Sequence, residues 1–173
     1  MVIGKPMFSA EQIRVRVSEL GSQISSDYAG EHILAIGVLK GAFMFYADLV
    51  RHIQTPITND FIVACSYIKT DSSGKLNIFY DVREEIKNRH VLLIDDIIDS
   101  GLSLSRIRER LLQAGPASLK TCVLLDKKVC KEADIPLDYV GFEIPDVFVV
   151  GYGLDYENRF RNLPYISIFK KKM

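Results

Sequence analysis

The chain has 173 residues, with 22 lysines and arginines against 22 aspartates and glutamates, so its net charge offers no pull toward nucleic acid or an anionic membrane. That length suits one domain over residues 1–173 and is enough to bury a substantial core. No basic segment followed by an apolar one opens the chain, and no apolar run approaches the roughly 18 residues of a membrane span, so the expectation is a soluble cytoplasmic protein.

Ser9-Ala10-Glu11-Gln12 has the form of a capping box, and Ile13, Val17, Leu20 and Ile24 follow at helical spacing, which predicts an amphipathic packing helix. Residues 33–39 read as a buried strand and residues 42–52 as the helix after it, with Lys40-Gly41 in the turn between. Residues 61–67 alternate as a strand does. The KTDSSGK segment, residues 69–75, is polar and small enough for a loop, and residues 77–80 supply a short strand leading back. Leu104, Ile107 and Leu111 mark one face of a later helix that Gly115-Pro116 stops. Further strands are expected at residues 119–125, 147–150 and 166–169. Strands alternating with helices predict an α/β fold with a mainly parallel sheet. Cys65, Cys122 and Cys130 show neither a CxxC pair nor a histidine cluster, so they are read as core residues or reduced thiols.

The most informative stretch is residues 90–105, HVLLIDDIIDSGLSLS. Val91 to Ile94 form the short apolar run of a strand covered on both faces. Asp95 and Asp96 then stand at its carboxyl end, where open α/β sheets hold ligands. From Asp99 the chain turns through Ser100, Gly101, Leu102 and Ser103 into a helix, whose free backbone N–H groups suit a phosphate. Acidic groups beside a phosphate site are complementary to a ribose 5-phosphate. Singly, each aspartate is equally a strand-end or capping residue. Three carboxylates so close together need a cation or hydrogen bonds to offset their repulsion.

This segment closely resembles the phosphoribosyl pyrophosphate signature of the type I phosphoribosyltransferases: apolar residues, two acids, two apolar residues, then Asp-Thr/Ser-Gly. Leu39-Lys40-Gly41, Ser66-Tyr67, Lys127 and residues 140–161, VGFEIPDVFVVGYGLDYENRFR, extend the resemblance toward members that use 6-oxopurines. It implies a mainly parallel twisted sheet flanked by helices, with a small hood at the ligand edge built from the N- and C-terminal segments. The implied substrates are phosphoribosyl pyrophosphate and a 6-oxopurine, hypoxanthine or guanine, with Mg²⁺ as cofactor and a homodimer or homotetramer as the assembly. No nucleic acid or membrane partner is implied.

The resemblance also carries residue roles. Asp95 and Asp96 would hold the ribose hydroxyls, directly or through Mg²⁺, and Asp155 would be a second metal ligand beside the purine. Ile98, Asp99, Ser100, Gly101, Leu102 and Ser103 match the ribose and 5-phosphate segment, with Asp99 handling the proton at purine N7. Leu39, Lys40, Gly41 and Arg161 match pyrophosphate contacts, and the loop implies a cis peptide between Leu39 and Lys40, with Ala42 where a second glycine is frequent. Lys127 would donate to purine O6, Phe148 would stack on the base and the Val149 backbone would pair with its edge. Ser66 and Tyr67 would hinge a lid over residues 66–80.

Taken one at a time these residues have plainer readings. Lys-Gly is a common surface turn, Lys127-Lys128 a solvated pair, Phe148 a core aromatic, and Asp155 or Arg161 a solvated loop charge. The competing function is a nucleotide-sensing regulator on the same fold that binds nucleic acid.

Overall fold

The computed structural model describes residues 2–66, 76–128 and 132–170. In chain order the elements are β1 (Val2–Phe8), α1 (Ala10–Asp27), β2 (Ile33–Leu39), α2 (Phe43–His52), β3 (Ile57–Ser66) and β4 (Leu76–Tyr80). They continue with β5 (His90–Ile98), α3 (Leu102–Gln113), β6 (Ser118–Lys127), β7 (Tyr139–Ile144), β8 (Val149–Val150) and β9 (Ile166–Lys170). The capping box is formed: Gln12 N–H donates to Ser9 Oγ, and Ser9 N–H donates to the Gln12 side chain. Ile13, Val17, Leu20 and Ile24 are the buried stripe of α1.

Six strands lie in the order β4-β3-β2-β5-β6-β7, all pairs parallel except β3 with β4. From β2 the chain crosses through α2 to β3 on one side. From β5 it crosses through α3 to β6 on the other. The strand order therefore reverses between β2 and β5, which makes their carboxyl ends the natural ligand crevice. Side chains of the central strands alternate between two cores. Ile33, Ala35, Leu92 and Ile94 pack with α1 and α2, while Leu34, Ile36, Val91 and Leu93 pack with α3. Cover on both faces explains why these strands read as unbroken apolar runs.

A second, antiparallel sheet of order β1-β9-β8 joins the two ends of the chain over the crevice, matching the expected hood. Its strand β1 was not predicted, because Gly4 and Pro6 break the pattern; β1 is an edge strand and its register shifts on either side of Pro6. Strand β7 was also missed, being only partly buried along its length. The strand expected over residues 147–150 shortens to Val149–Val150, and the helix expected from Ala42 begins at Phe43 with Ala42 as its N-cap. Strand β5 continues past Ile94 to Ile98, so Asp95 and Asp96 lie within it rather than beyond it. Of the expected lid, β3 and β4 form antiparallel arms, with Ser66 paired to Leu76. Tyr67 and the KTDSSGK segment lie outside the described residues. Among the described residues, no helix is long and apolar enough to cross a membrane.

Candidate active site

Pairing between β2 and β5 ends at Gly37 and Ile94. Beyond that point β2 stays with β3 as far as Leu39, and β5 stays with β6 as far as Ile98. The two strand ends splay apart, and the groups singled out from the sequence line the gap. On the β2 side, the Leu39–Lys40 peptide is cis, as the resemblance implied, and exposed Lys40 leads into α2. Buried Ala42 adopts a helical conformation at the N-cap, so the turn accepts its methyl group. Gly41 has no such freedom: a Cβ there would collide with the Asp96 carboxylate.

On the β5 side, Asp95 accepts a hydrogen bond from Asp96 N–H at 2.9 Å, and Asp96 accepts one from Ile97 N–H at 3.0 Å. Burial is the main cause that pushes both carboxyls above their usual range. Asp95 is raised further by the neighbouring charge of Asp96, whereas Arg161 partly offsets the shift at Asp96.

Helix α3 begins just after the acids. Gly101 is its N-cap with φ of 83°, a left-handed conformation that glycine adopts without strain, and it turns the chain so that Leu102 and Ser103 open the helix. Ser100 Oγ accepts weakly from Leu102 N–H at 3.4 Å, and the Ser100 carbonyl accepts from Glu132 and Ala133 N–H. A cavity of about 600 Å³ covers this helix start, lined by Asp95, Ile98, Asp99, Ser100, Gly101, Leu102 and Ser103 together with Glu132. A second, of about 210 Å³, lies between Lys40-Gly41 and the acid pair, sharing Asp95 and Ser103 with the first.

A third cavity, of about 230 Å³, contains Asp96, Asp99, Lys127, Phe148, Val149 and Asp155. Lys127 is the last residue of β6, rather than a loop residue beyond it, and its Nζ donates to Asp99 Oδ2 at 2.8 Å. Its side chain is 10% exposed, against 61% for Asp99. Asp146 stands 3.6 Å from the same ammonium. Phe148 is 51% exposed and makes T-shaped contacts with Tyr156 and Phe169. The Phe148 carbonyl accepts from Phe169 N–H at 2.9 Å. By the alternation of an antiparallel ladder, the N–H and C=O of Val149 then face away from β9.

Asp155 and Arg161 sit on the loop between β8 and β9. Arg161 donates to the Gly153 carbonyl at 2.6 Å and pairs with Asp155 at 2.6 Å, while the other Asp155 oxygen accepts from Asn158 N–H. Asp155 is thus engaged by Arg161 and does not join Asp95 and Asp96 in a three-carboxylate cluster; among the described residues no such cluster exists. The side chain of Ser66 is not described. Sequence reading missed Glu132, Asp146, Leu154 and Gly153 at this site. Only Gly153 left a signal, the Gly-Tyr-Gly triplet at residues 151–153.

The phosphoribosyl transferase domain family matches residues 8–157. The hypoxanthine-guanine phosphoribosyltransferase of Bacillus subtilis (strain 168) is 49% identical over 169 residues, covering 97% of this chain and 94% of that protein. The hypoxanthine phosphoribosyltransferase of Salmonella typhimurium is 46% identical over 164 residues, 93% of this chain and 92% of its own. Among solved structures, a hypoxanthine-guanine phosphoribosyltransferase from Bacillus anthracis, with a HEPES molecule in its active site, has a TM-score of 0.93. It is 44% identical and covers 98% of this chain and 100% of that one.

Proposed function

The chain belongs to the phosphoribosyltransferase family, and from that premise we propose that it transfers the 5-phosphoribosyl group of phosphoribosyl pyrophosphate to N9 of hypoxanthine or guanine. The products are IMP or GMP and pyrophosphate, a purine salvage reaction. The observation that carries this reading is the Lys127–Asp99 contact at 2.8 Å, in one cavity with the half-exposed ring of Phe148. An ammonium beside a carboxylate complements the O6 and N7 positions that adjoin on one edge of a 6-oxopurine. Adenine, with an amino group at that corner, would oppose a donor to a donor.

The three cavities support the following roles. Backbone N–H groups at Leu102 and Ser103, with Ser100 and Gly101, hold the 5-phosphate at the start of α3. Asp95 and Asp96 accept the ribose hydroxyls. Lys40, Gly41 and Arg161 receive the pyrophosphate, whose charge grows as the anomeric bond breaks. Asp99 takes or holds the proton at N7, Lys127 donates to O6, Phe148 stacks on the base and Val149 pairs with its edge. The resemblance further implies a lid, hinged at Ser66 and Tyr67, that would exclude water during transfer; Tyr67 lies outside the described residues.

The acid pair fits a divalent cation that arrives with the substrate. Its two carboxylates are raised by burial, Asp95 is raised further by the charge of Asp96, and Mg²⁺ is typically held by one or two carboxylates plus substrate oxygens. When bound, the ion would neutralise charge on the pyrophosphate. Asp155 fits this role less well while Arg161 and Asn158 occupy its oxygens. We further infer one domain over residues 1–173, a homodimer or homotetramer, and a cytoplasmic location. The regulator reading finds no support in the balanced charge or in the relatives above.

Pyrophosphate release measured with hypoxanthine, guanine, xanthine and adenine, each with and without Mg²⁺, tests the reaction. Metal-dependent release with hypoxanthine or guanine is expected. No release with any of them, or faster release with adenine, would overturn it.

A further inference from the structure

The turn that carries Gly153 is held in an unusual conformation. Gly151, Tyr152 and Gly153 have φ values of 103°, 49° and 99°. Two glycines adopt this region freely, but a tyrosine between them does so only when its surroundings compel it. Three contacts compel it here. Tyr152 N–H donates to the Leu163 carbonyl at 2.8 Å, and Gly153 N–H donates to the Arg161 carbonyl at 2.9 Å. The ring of Tyr152 is buried, at 8% exposure, and its hydroxyl donates to Asp48 Oδ2 of α2 at 2.6 Å. Burial and the Asp48 charge push this hydroxyl well above its ordinary pKa, so it remains a donor.

The turn touches the site through its backbone. A Cβ on Gly153 would collide with the Gly41 carbonyl, and a Cβ on Gly41 would collide with Asp96. The hood turn therefore packs backbone to backbone on the pyrophosphate turn, which in turn packs against the side chain of Asp96. Helix α2 starts directly after Gly41 and Ala42, so Asp48 belongs to the same rigid element as the pyrophosphate turn. The Gly153 carbonyl in turn receives Arg161.

We propose that Tyr152 is a positioning residue: its hydrogen bond to Asp48 sets the spacing between the pyrophosphate turn at Lys40-Gly41 and the hood loop bearing Arg161. The inference rests on the proposed reaction, in which those two elements grip the same pyrophosphate from opposite sides. Without the bond the hood turn relaxes away from Gly41, Arg161 loses its aim, and the sugar donor suffers while the base site does not.

The test uses the full chain and the variants Tyr152→Phe, Asp48→Ala, Asp48→Asn and the Tyr152→Phe/Asp48→Ala double variant. Tyr152→Phe and Asp48→Ala are expected to raise KM for phosphoribosyl pyrophosphate about fivefold to tenfold, the size of one ordinary net hydrogen bond. KM for the purine should move by less than about twofold. Asp48→Asn keeps an acceptor for the hydroxyl and should restore most of the donor affinity. The double variant should be no worse than Asp48→Ala alone, because that change already removes the Tyr152 bond along with the Asp48–Arg51 pair. A lower melting temperature with unchanged KM values, equal rises for both substrates, or additive effects in the double variant would overturn the proposal. Calorimetric binding of the donor separates the two levels. Weakened donor binding in Tyr152→Phe supports the positioning role whatever the base acceptor is, and no donor binding by the unsubstituted protein sinks both.

Discussion

Asp95 illustrates how a residue useful to a ligand burdens the ligand-free protein. Burial, and then the charge of Asp96, raise its carboxyl, so the folded chain keeps a proton that the unfolded chain releases. Stability therefore falls as pH rises from the ordinary aspartate value of about 3.9 through the raised folded value. Asp95→Asn is expected to flatten that slope and to stabilise the ligand-free protein at neutral pH by about 0.5–2 kcal/mol, while cutting turnover. Urea unfolding across a pH series checks this, and parallel slopes in variant and parent would contradict it. Asp99→Asn should lower kcat about a hundredfold or more with unfolding unchanged, the ordinary scale of lost proton handling. Lys127→Ala should instead raise KM for hypoxanthine and guanine while KM for the sugar donor stays within about twofold. Unchanged use of both bases would remove Lys127 from recognition. At this scale the sequence was informative where chemistry is dense: Asp95, Asp96, Asp99 and Lys127 line adjoining cavities. It was silent on Asp146 and Tyr152, whose importance depends on what stands opposite them in space.

At the scale of elements, the crevice exists because β2 and β5 part company after Gly37 and Ile94 and each keeps its outer neighbour. Gly41 lets the turn after β2 close against the side chain of Asp96. Gly41→Ala is expected to push that carboxylate or the turn aside and to lower kcat/KM for the donor about a hundredfold, as misplacement on this scale does elsewhere. The melting temperature should fall far less than the activity, and parallel losses would show a folding defect instead. The same scale explains which elements were legible. Helix α1 announces itself through a local capping box, and the central strands through apolar runs. Strand β1 pairs with β9 across nearly the whole chain and contains Gly4 and Pro6, so nothing local marks it. Strand β7, an edge strand, is partly exposed and carries Gly141, where a Cβ would strike the Leu124 carbonyl; it lacks the alternation that reveals a half-buried strand.

For the whole molecule, the mainly parallel sheet supplies the strand ends with Asp96 and Lys127, while the hood segment supplies Phe148 and Val149 and, on its β8–β9 loop, Asp155 and Arg161. Neither sheet holds the site alone. The account centres on a sugar diphosphate lying across the gap between β2 and β5, and a crystal structure with phosphoribosyl pyrophosphate, Mg²⁺ and an unreactive purine analogue tests it most directly. The account predicts the 5-phosphate on the amides of Leu102 and Ser103, the ribose over Asp95 and Asp96, and the pyrophosphate between Lys40-Gly41 and Arg161. A donor bound elsewhere, or an unoccupied crevice at saturating donor, would contradict it.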